Sequence, residues 1–531
     1  MFTFGPQSMV CPCGPPQYLY VNSRAFRYAT IVALGGFVFG LDAAVISGTV
    51  KFITQEFGLS DLQVGTAVSA PGFGVLFALP VASYLSDRIG RKSMLQLIAA
   101  VYLLSALGSA FAASFEMLVA ARFIGGLAFT SITLASMYIG EIAPPEARGK
   151  LVGMTQINIV VGLSAAYFVN YLLVGQAETL QLGNDVWRYM LGSEIIPALL
   201  WLVLLFTIPR SPRWLMLVGK EPEAEQVLHR LLPGERVAQA ILEIKESLIV
   251  SGPQLSFADQ FREFVSRHYR KVFWIGVVFA IFQQTTGINA ILFYAPTVFE
   301  QLGGGEDAAF SQALYIGLVG LVFTILALLL IDRLGRRPMT IYGLLWAVLS
   351  LLLCADGVHT ATYELNEDAL ASLGEVPGIE KLAALQDVVY SSDIAFKSAL
   401  EEQLGVTTAR AHEGELFQAA ANLPATLILV GILSFIAAFH FSVGPIMWIV
   451  FSEIFSTRIR SVAIPTVAMV TSIVSYLTQQ FFPWQLANMG GRDIFLFYGL
   501  TTGVGLILLY FILPETKGKT IEQIEEELTR G

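Results

Sequence analysis

The chain has 531 residues and a formal net charge of −9; 55% of its residues are hydrophobic and only 14% are charged. A soluble globular domain carries roughly a quarter charged residues, so this composition excludes a soluble protein. Apolar runs of about 20 residues recur along the chain, which is the length a helix needs to cross a bilayer and about twice that of a barrel strand. The sequence therefore predicts an all-α integral membrane protein.

The apolar runs predict twelve transmembrane spans, numbered in chain order. They cover residues 27–50, 63–85, 93–113, 117–140, 151–175, 187–208, 272–300, 309–331, 338–356, 424–451, 462–484 and 493–513. Lys and Arg in short loops mark the cytoplasmic side, and they follow even-numbered spans, as Arg91 and Arg336 do. We therefore expect both termini in the cytoplasm and a plasma-membrane location, which is the inner membrane if the protein is bacterial.

Two hydrophilic segments interrupt the spans. The predicted domains are an N-terminal cytoplasmic tail (1–26), a six-helix half (27–208), a cytoplasmic linker (209–271), a second six-helix half (272–513) and a cytoplasmic C-terminal tail (514–531). Apolar residues recur at helical spacing in the linker, at 221–232 and 236–249, which predicts short helices beneath the bundle.

The second hydrophilic segment, 357–420, falls on the outer side and is strongly acidic. Its residues 381–390 and 393–404 have helical, amphipathic patterns. The segment is either a small folded cap over the outer mouth or a solvated loop.

An internal repeat relates the two halves. Asp87-Arg88-Ile89-Gly90-Arg91-Lys92 after span 2 matches Asp332-Arg333-Leu334-Gly335-Arg336-Arg337 after span 8. Glu141 and Arg148 after span 4 have the same separation as Glu453 and Arg460 after span 10. Matches at paired positions predict duplicated halves related by an axis along the membrane normal.

The repeated charges exceed what topology requires, because acidic residues contribute little to orientation. We expect ion pairs that tie one half to the other on the inner side and break when the halves rock, since alternating access needs a two-state element. A static network at the helix ends is the alternative. The candidate residues of this cytoplasmic ion-pair gate are Asp87, Arg88, Arg91, Glu141, Arg148, Asp332, Arg333, Arg336, Glu453, Arg460 and Glu515.

Asp42 lies inside span 1. An ionisable side chain at that depth costs on the order of 3 kcal/mol or more unless it is paired or hydrated. Such a residue usually marks a substrate or proton pathway, and a structural carboxylate paired with a neighbour is the alternative. Arg122 in span 4 and Glu194 in span 6 lie at a similar depth, in the outer half of their spans, and are the candidate partners.

Several motifs in register resemble the sugar porter family of the major facilitator superfamily over nearly the whole chain. Besides the two repeated loops they are Ala121-Arg122-Phe123-Ile124-Gly125-Gly126, Tyr138-Ile139-Gly140-Glu141-Ile142-Ala143-Pro144, Ser211-Pro212-Arg213-Trp214-Leu215, Gln283-Gln284-Thr285-Thr286-Gly287-Ile288-Asn289, Gly444-Pro445-Ile446-Met447-Trp448 and Pro514-Glu515-Thr516-Lys517-Gly518. The resemblance implies the major facilitator fold, with twelve helices in two pseudo-symmetric six-helix halves. It also implies alternating-access transport of a hexose, a pentose or a polyol such as inositol.

In proton-coupled members of this family, the residues that match Asp42 and Arg122 couple transport to protons, whereas facilitators carry Asn at the Asp position. The resemblance therefore implies a proton symporter. An adjacent guanidinium favours a charged carboxylate and burial favours the neutral form, so the protonation of Asp42 can depend on conformation. Asp42 would accept a proton from outside and release Arg122, and Arg122 with Glu194 would tune the proton affinity.

Three amides, Gln283, Gln284 and Asn289, fall near the middle of span 7. An amide offers both a donor and an acceptor to vicinal hydroxyls, and three of them in an apolar helix need a wet cavity or partners. By resemblance, the residues that contact the sugar are Gln156, Gln283, Gln284, Asn289 and Trp448. For Trp448, packing or interface anchoring is the alternative.

Departures from the family pattern limit what the resemblance implies. Phe293-Tyr294 replaces the usual Tyr-Tyr pair; Tyr294 resembles an outer gate residue, with packing as the alternative. Gly320 aligns with an Asn common in span 8, and Thr471-Ser472 with larger side chains. These differences leave the identity of the sugar undetermined. Arg210 replaces the Glu that usually precedes Ser-Pro-Arg, which alters the ion pairs expected on the inner side.

Other functions fit the sequence less well. A passive uniporter is disfavoured by Asp42, and a transporter-like receptor by the short segment after span 12. No nucleophile–base constellation, phosphate loop or metal-ligand spacing appears, and three cysteines give no disulfide framework, so no enzyme, cofactor, metal site or nucleic-acid partner is expected. The expected partners are a sugar, protons and the lipid bilayer, and we expect a monomer.

Overall fold

The structure is a computed structural model that describes residues 23–144, 147–250, 257–301, 305–373, 376–456 and 458–529. In these ranges, twelve helices are long and apolar enough to cross a bilayer. This agrees with the twelve predicted spans, although the first helix begins at Ser23, inside the segment predicted as a tail. Residues 1–22, with Cys11 and Cys13, lie outside the described part.

The spans of the first half keep the numbering used above. Their helices are Ser23–Val45 followed by the 3-10 turn Ile46–Gly48 (span 1), Asp61–Ile89 (span 2), Arg91–Ala110 (span 3), Phe115–Leu127 and Ser131–Ile142 (span 4), Arg148–Gly175 (span 5), and Val186–Gly192 and Ile195–Leu205 (span 6). A short helix, Val50–Phe57, follows span 1, and the 3-10 turn Gly183–Asp185 precedes span 6.

The second half repeats this order. Its helices are Arg270–Gln284 and Ile288–Phe293 (span 7), Glu306–Leu334 (span 8), Arg336–His359 (span 9), Ala425–Phe441 and Val443–Ile454 (span 10), Arg460–Asn488 (span 11) and Gly491–Ile512 (span 12). The helix Ala295–Gln301 follows span 7, and Ile521–Thr529 lies near the C-terminus.

Spans 7 and 10 are interrupted near the middle of the membrane. In span 7 the chain turns at Gly287, whose φ of +83° is a left-handed conformation that favours glycine. In span 10 the break falls at Ser442, just before Gly444-Pro445. Irregular backbone at this depth is tolerated only where protein or a water-filled cavity satisfies its polar groups, so both breaks mark candidate positions for a polar site.

The 357–420 insertion folds as a cap with its own apolar core. The rings of Tyr363, Phe396 and Phe417 contact one another at centroid distances of 5.3–5.5 Å. The cap contains the strands Thr362–Tyr363 and Ala421–Asn422, which pair antiparallel, and the helices Glu367–Ser372, Ile379–Leu385 (3-10), Asp393–Leu404, Val406–Ala411 and Glu413–Ala420. Of the two alternatives left by the sequence, the folded cap is therefore the one observed.

One helix predicted in the cap is wrong in part. The pattern at 393–404 is a helix with those bounds, whereas the predicted helix at 381–390 is a 3-10 turn that ends at Leu385. The reason is that Tyr390 pairs with Tyr363: the two exchange backbone hydrogen bonds of 2.8 and 2.9 Å. This pairing holds the chain extended where the amphipathic pattern alone favours a helix.

We call the end of the bundle that carries this insertion the cap face, and the opposite end, which carries Arg91 and Arg336, the basic face. The two halves meet near the cap face. The Ser69 hydroxyl in span 2 donates to Gln480 Oε1 in span 11 at 2.8 Å, and the Tyr167 hydroxyl in span 5 donates to the Leu292 carbonyl in span 7 at 2.6 Å. The conformation is therefore closed at the cap face.

The linker is divided between the two halves. Its helices Pro212–Leu217, Glu221–Leu231 and Gly234–Val250 precede Phe257–Phe264 in the chain. Pro212–Leu217 packs on span 4 and Glu221–Leu231 on span 1, whereas Phe257–Phe264 packs on span 11. The two predicted linker helices are confirmed, and the arrangement allows each half to carry its own part of the linker when the halves move.

The cap is joined to both halves. On the second half, the Asp393 carboxylate accepts the backbone N–H of Gly491 at the start of span 12, at 2.7 Å. Toward the first half, Arg410 Nη2 lies 3.3 Å from Asp61 Oδ2, at the first residue of span 2. Since the halves meet at this face, opening it must separate Arg410 from Asp61.

We predict that Arg410→Ala loosens closure at the cap face. Both partners are 30% exposed, and exposed ion pairs contribute at most about 1 kcal/mol, so the fraction of open molecules should rise by up to about fivefold. The measurement is the rate at which a membrane-impermeant maleimide labels Ser69→Cys in a background that lacks the three native cysteines. Arg492→Ala, which removes an exposed arginine on the same face, is the control, and equal labelling in both variants would contradict the prediction.

Candidate functional site

Asp42, Arg122 and Glu194 meet in one buried cluster. Asp42 lies near the end of span 1, Arg122 in the first helix of span 4 and Glu194 between the two helices of span 6. Their side chains are only 1%, 1% and 3% exposed. Arg122 Nη1 forms an ion pair with Asp42 Oδ1, and Glu194 Oε1 lies 4.0 Å from the same nitrogen. The structure thus brings together Asp42 and the two candidate partners that were predicted from their similar depth in the membrane.

The cluster contains two acids and one base. If both carboxyls were ionised, the three side chains would carry a net charge of −1 in a site closed to water, which is costly. In the described part of the chain, Asp42 Oδ2, Glu194 Oε1 and Arg122 Nε have no hydrogen-bond partner. One bound proton neutralises the cluster, so the arrangement can hold and release a proton.

Glycines set the position of this cluster. A side chain on Gly40 would collide with the backbone of Ile159 in span 5, so spans 1 and 5 pack closely just before Asp42. A Cβ on Gly125 in span 4 would lie 2.5 Å from Ser105 Oγ and 3.6 Å from Asp42 Oδ2. Gly125 therefore leaves the space that the second carboxylate oxygen of Asp42 faces.

The span 7 amides form a chain of hydrogen bonds. Gln284 Nε2 donates to Gln283 Oε1 at 2.7 Å, and Asn289 Nδ2 donates to Gln284 Oε1 at 2.7 Å. The break at Gly287 allows this contact, because it turns the second helix of span 7 so that Asn289 returns toward Gln284. Gln283 and Gln284 are buried, and Asn289 is half-buried.

Asn289 continues the chain to two residues that the sequence analysis missed. Its Nδ2 also donates to Ser475 Oγ in span 11 at 2.7 Å, and Gln479 Nε2 donates to the same oxygen at 2.8 Å. Ser475 and Gln479 are four residues apart and share a helix face. That polar pair on one face of span 11 was the signal that could have identified them.

The other predicted sugar-binding and gate residues form no hydrogen bond with the span 7 amide side chains in the described part of the protein. Gln156 in span 5 is half-buried, and the Trp448 indole is 41% exposed and contacts Phe451 at 5.9 Å. The predicted gate residue Tyr294 is buried and donates to the Gln479 carbonyl at 2.9 Å, while Phe293 packs at the edge of the core. Tyr294 thus ties span 7 to span 11 within one half in this conformation.

Each half carries one charged cluster at the basic face. In the first half, Arg91 contacts Glu141 (Nε–Oε1 3.1 Å) and Asp87 (2.8 Å), and the Ser211 hydroxyl donates to Glu141. The arginine therefore joins the adjoining ends of spans 2 and 3 to the end of span 4.

The second half has the same arrangement. Arg336 contacts Glu453 (2.9 Å) and Asp332 (3.0 Å), and the Thr516 hydroxyl donates to Glu453 at 2.6 Å. Three contacts recur at matched positions, so the duplication inferred from the sequence is visible in the geometry.

Several predicted gate contacts need correction. The ion pairs of both clusters lie within a half in this conformation; none of those described joins one half to the other. Arg460 does not pair with Glu453: it donates to the carbonyls of Ser452 and Phe455, because the end of span 10 leaves these acceptors without helical partners. Arg88 lies over the Tyr84 ring and the Arg333 side chain is exposed. The side chain of Arg148 lies outside the described part.

Comparison with known proteins identifies the family of this chain. The family model described as "Sugar (and other) transporter" matches residues 28–374 and 413–528. The chain belongs to the sugar porter family of the major facilitator superfamily.

Individual sugar porters match over nearly their full length. The D-xylose-proton symporter of Escherichia coli (strain K12) is 32% identical over 95% of this chain and 96% of its own. The arabinose-proton symporter of Bacillus subtilis (strain 168) is 30% identical over 96% and 97%. Among solved structures, the E. coli xylose transporter XylE in a partially occluded inward open conformation is similar, with 29% identity, coverage of 94% of this chain and 100% of that chain, and a TM-score of 0.71.

The structure explains one departure of this sugar porter from the family pattern. In the second half, Glu515 accepts the backbone N–H groups of Arg336 and Arg337 at 3.1 Å each, where a carboxylate stabilises the N-terminus of span 9. The matching residue in the first half is Arg210, which lies over the Trp214 ring at 5.6 Å. The first-half cluster therefore lacks this carboxylate, as the sequence indicated.

A second departure also has a structural counterpart. Gly320, where the family commonly has Asn, leaves a space that the His440 imidazole of span 10 covers: a Cβ on Gly320 would lie 3.2 Å from His440 Nε2. His440 Nδ1 lies 3.1 Å from Thr324 Oγ1. An imidazole thus lies directly against the position where the amide is missing.

We predict that Arg336→Ala destabilises the second half. Its removal leaves Glu453, which is 22% exposed, without its cation, and an unsatisfied partner of this kind costs about 1–3 kcal/mol. Thermal unfolding of the detergent-solubilised protein measures the loss. Arg333→Ala removes a neighbouring exposed arginine and should have little effect, so equal shifts for both variants would contradict the role assigned to Arg336.

Proposed function

We propose that this sugar porter imports a monosaccharide together with protons by alternating access. The Asp42–Arg122–Glu194 cluster is the observation that carries the proposal, because it places a titratable pair of acids around one guanidinium inside the membrane. The names of the D-xylose-proton and arabinose-proton symporters support the substrate class.

The proton acts by changing the partner of Arg122. Protonation of Asp42 removes the charge that holds Arg122 Nη1, and Glu194 Oε1, 4.0 Å away, is then the nearest anionic partner. The guanidinium then moves a short distance from one acid toward the other. Because Asp42, Arg122 and Glu194 lie on spans 1, 4 and 6, this movement changes the contacts between three spans. Proton binding can thus shift the packing of the first half.

The sugar binds near the middle of the membrane, at the break in span 7. Gln283, Gln284 and Asn289 supply hydrogen-bonding groups to its hydroxyls, and Gln156 and Trp448 approach from spans 5 and 10. A site at this depth lies between the halves, which is where an alternating-access carrier must hold its substrate.

The basic face is the cytoplasmic face, because it carries the Lys and Arg residues of the short loops. Both termini then lie in the cytoplasm, and the conformation closed at the cap face is closed to the outside. The two charged clusters lie at this face, and each holds the helix ends of its own half together while the halves rock. The protein acts as a monomer in the plasma membrane, or in the inner membrane if it is bacterial.

We predict that Asp42→Asn abolishes accumulation but preserves exchange. The amide keeps the size of the side chain and cannot titrate, so sugar still equilibrates but no longer follows the proton gradient. In proteoliposomes with an inward gradient of one pH unit, the unmodified protein should accumulate its sugar about tenfold, and Asp42→Asn about onefold with its counterflow retained.

The assay first tests labelled xylose, arabinose, glucose and inositol, and then uses the sugar taken up best. Glu116→Gln, which neutralises an exposed acid of the first half, is the control and should accumulate sugar normally. Accumulation by Asp42→Asn would refute proton coupling at this residue, and equilibration without accumulation in the unmodified protein, whatever the pH gradient, would favour a uniporter.

A further inference from the structure

Ser475 receives two hydrogen bonds from opposite sides. Asn289 Nδ2 and Gln479 Nε2 donate to its hydroxyl oxygen at 2.7 and 2.8 Å. A serine hydroxyl has two acceptor lone pairs and one O–H donor, and the two amides occupy both lone pairs. In this structure each neighbouring amide therefore turns its NH2 group, not its carbonyl, toward Ser475.

This arrangement gives the amide chain a direction. Asn289 uses one N–H on Ser475 and the other on Gln284 Oε1, and Gln284 then donates to Gln283 Oε1. The Asn289 carbonyl oxygen and the Gln283 NH2 group are left over. In the described part of the chain, neither group has a hydrogen-bond partner. Neither is fully buried, so both remain available to a ligand.

We propose that Ser475 is a positioning residue that fixes which amide atoms face the sugar. The inference rests on the proposed function and specifies how the site recognises the sugar: Asn289 presents an acceptor and Gln283 presents a donor. A sugar with two neighbouring hydroxyls satisfies both when one hydroxyl donates to Asn289 Oδ1 and the next accepts from Gln283 Nε2. Gln479 assists by filling the second lone pair of Ser475.

Without Ser475 the direction is lost. The oxygen and nitrogen of an amide exchange places by a half-turn, and such a turn costs little when no fixed partner distinguishes them. In Ser475→Ala, Asn289 loses the acceptor for one N–H, so Asn289, Gln284 and Gln283 can reverse together. The site can then present either a donor or an acceptor to each sugar hydroxyl. It keeps its shape but distinguishes less well between hydroxyls that donate and hydroxyls that accept.

Deoxy and fluoro analogues of the transported sugar test this directly. A deoxy position can neither donate nor accept, whereas fluorine can weakly accept but cannot donate. Inhibition of counterflow in proteoliposomes, measured for each analogue, gives its relative affinity. For the unmodified protein we expect one position where fluoro and deoxy analogues both bind at least about tenfold more weakly than the parent, and a neighbouring position where fluorine recovers part of the loss.

In Ser475→Ala the difference between these two positions should fall below about twofold, and KM for the parent sugar should rise about 5- to 20-fold with a nearly unchanged maximal exchange rate. Ser475→Thr restores a hydroxyl and should restore the pattern. Thr466→Val is the control: it removes a span 11 hydroxyl that bonds only its own helix, at the Val462 carbonyl, and should leave the pattern intact. If Ser475→Ala does not fold, Gln479→Met, which removes one of the two donors, should show the same loss in weaker form.

The outcomes separate the two proposals. If the unmodified protein gives no saturable uptake of any sugar tested, the proposed function fails and the role of Ser475 fails with it. If it transports sugar but Ser475→Ala, or Gln479→Met in its place, keeps the unmodified analogue pattern, only the role of Ser475 is refuted. A general drop in the maximal rate without a change in the pattern would indicate a packing role and would also refute it.

Discussion

One guanidinium between two buried carboxyls is the interaction on which the account depends. Arg122 contacts Asp42 directly and lies 4.0 Å from Glu194, and all three side chains are almost fully buried. A buried charge without a partner is expensive, so the three groups cannot change protonation independently. Close packing of spans 1 and 5 at Gly40, together with the space at Gly125, holds them at this depth. In the proposed mechanism, the cluster links one proton to the packing of three spans.

The basic face shows how the same fold can move as two bodies. Arg91 and Arg336 hold matched clusters, each within its own half, and the linker helices are divided between the halves. Contacts between the halves lie toward the cap face, at Ser69 and Tyr167. Rigid halves that meet in different places in different states are what a rocking carrier requires, and the proposed transport cycle uses this division.

Much of this was accessible from the sequence because it depends on length and period. The twelve spans follow from apolar runs, and the duplication follows from repeated motifs such as the one around Arg91. The similar depth of Asp42, Arg122 and Glu194 follows from their positions along their own spans, and this depth made them candidate partners. These are properties that a helix fixes locally.

The rest depends on tertiary choices that no local pattern contains. The ion pairs of the basic face were expected to join the two halves, but each lies within one half. The same charged residues could pair within a half or between halves, and the sequence does not show which helix ends lie close together in a given conformation. Tyr390 pairs with a distant Tyr363 and ends a predicted helix. The Ser475 contact needs the break at Gly287 to return Asn289 toward span 11, and the sequence shows the break but not its angle.

The most direct test of the central claim is the number of protons that enter with each sugar molecule. Sugar added to weakly buffered proteoliposomes without a preset gradient should alkalinise the external medium, and a pH electrode with labelled sugar gives the ratio. The account predicts about one proton per sugar, since one proton neutralises the Asp42–Arg122–Glu194 cluster. Sugar entry with no change in external pH would contradict it.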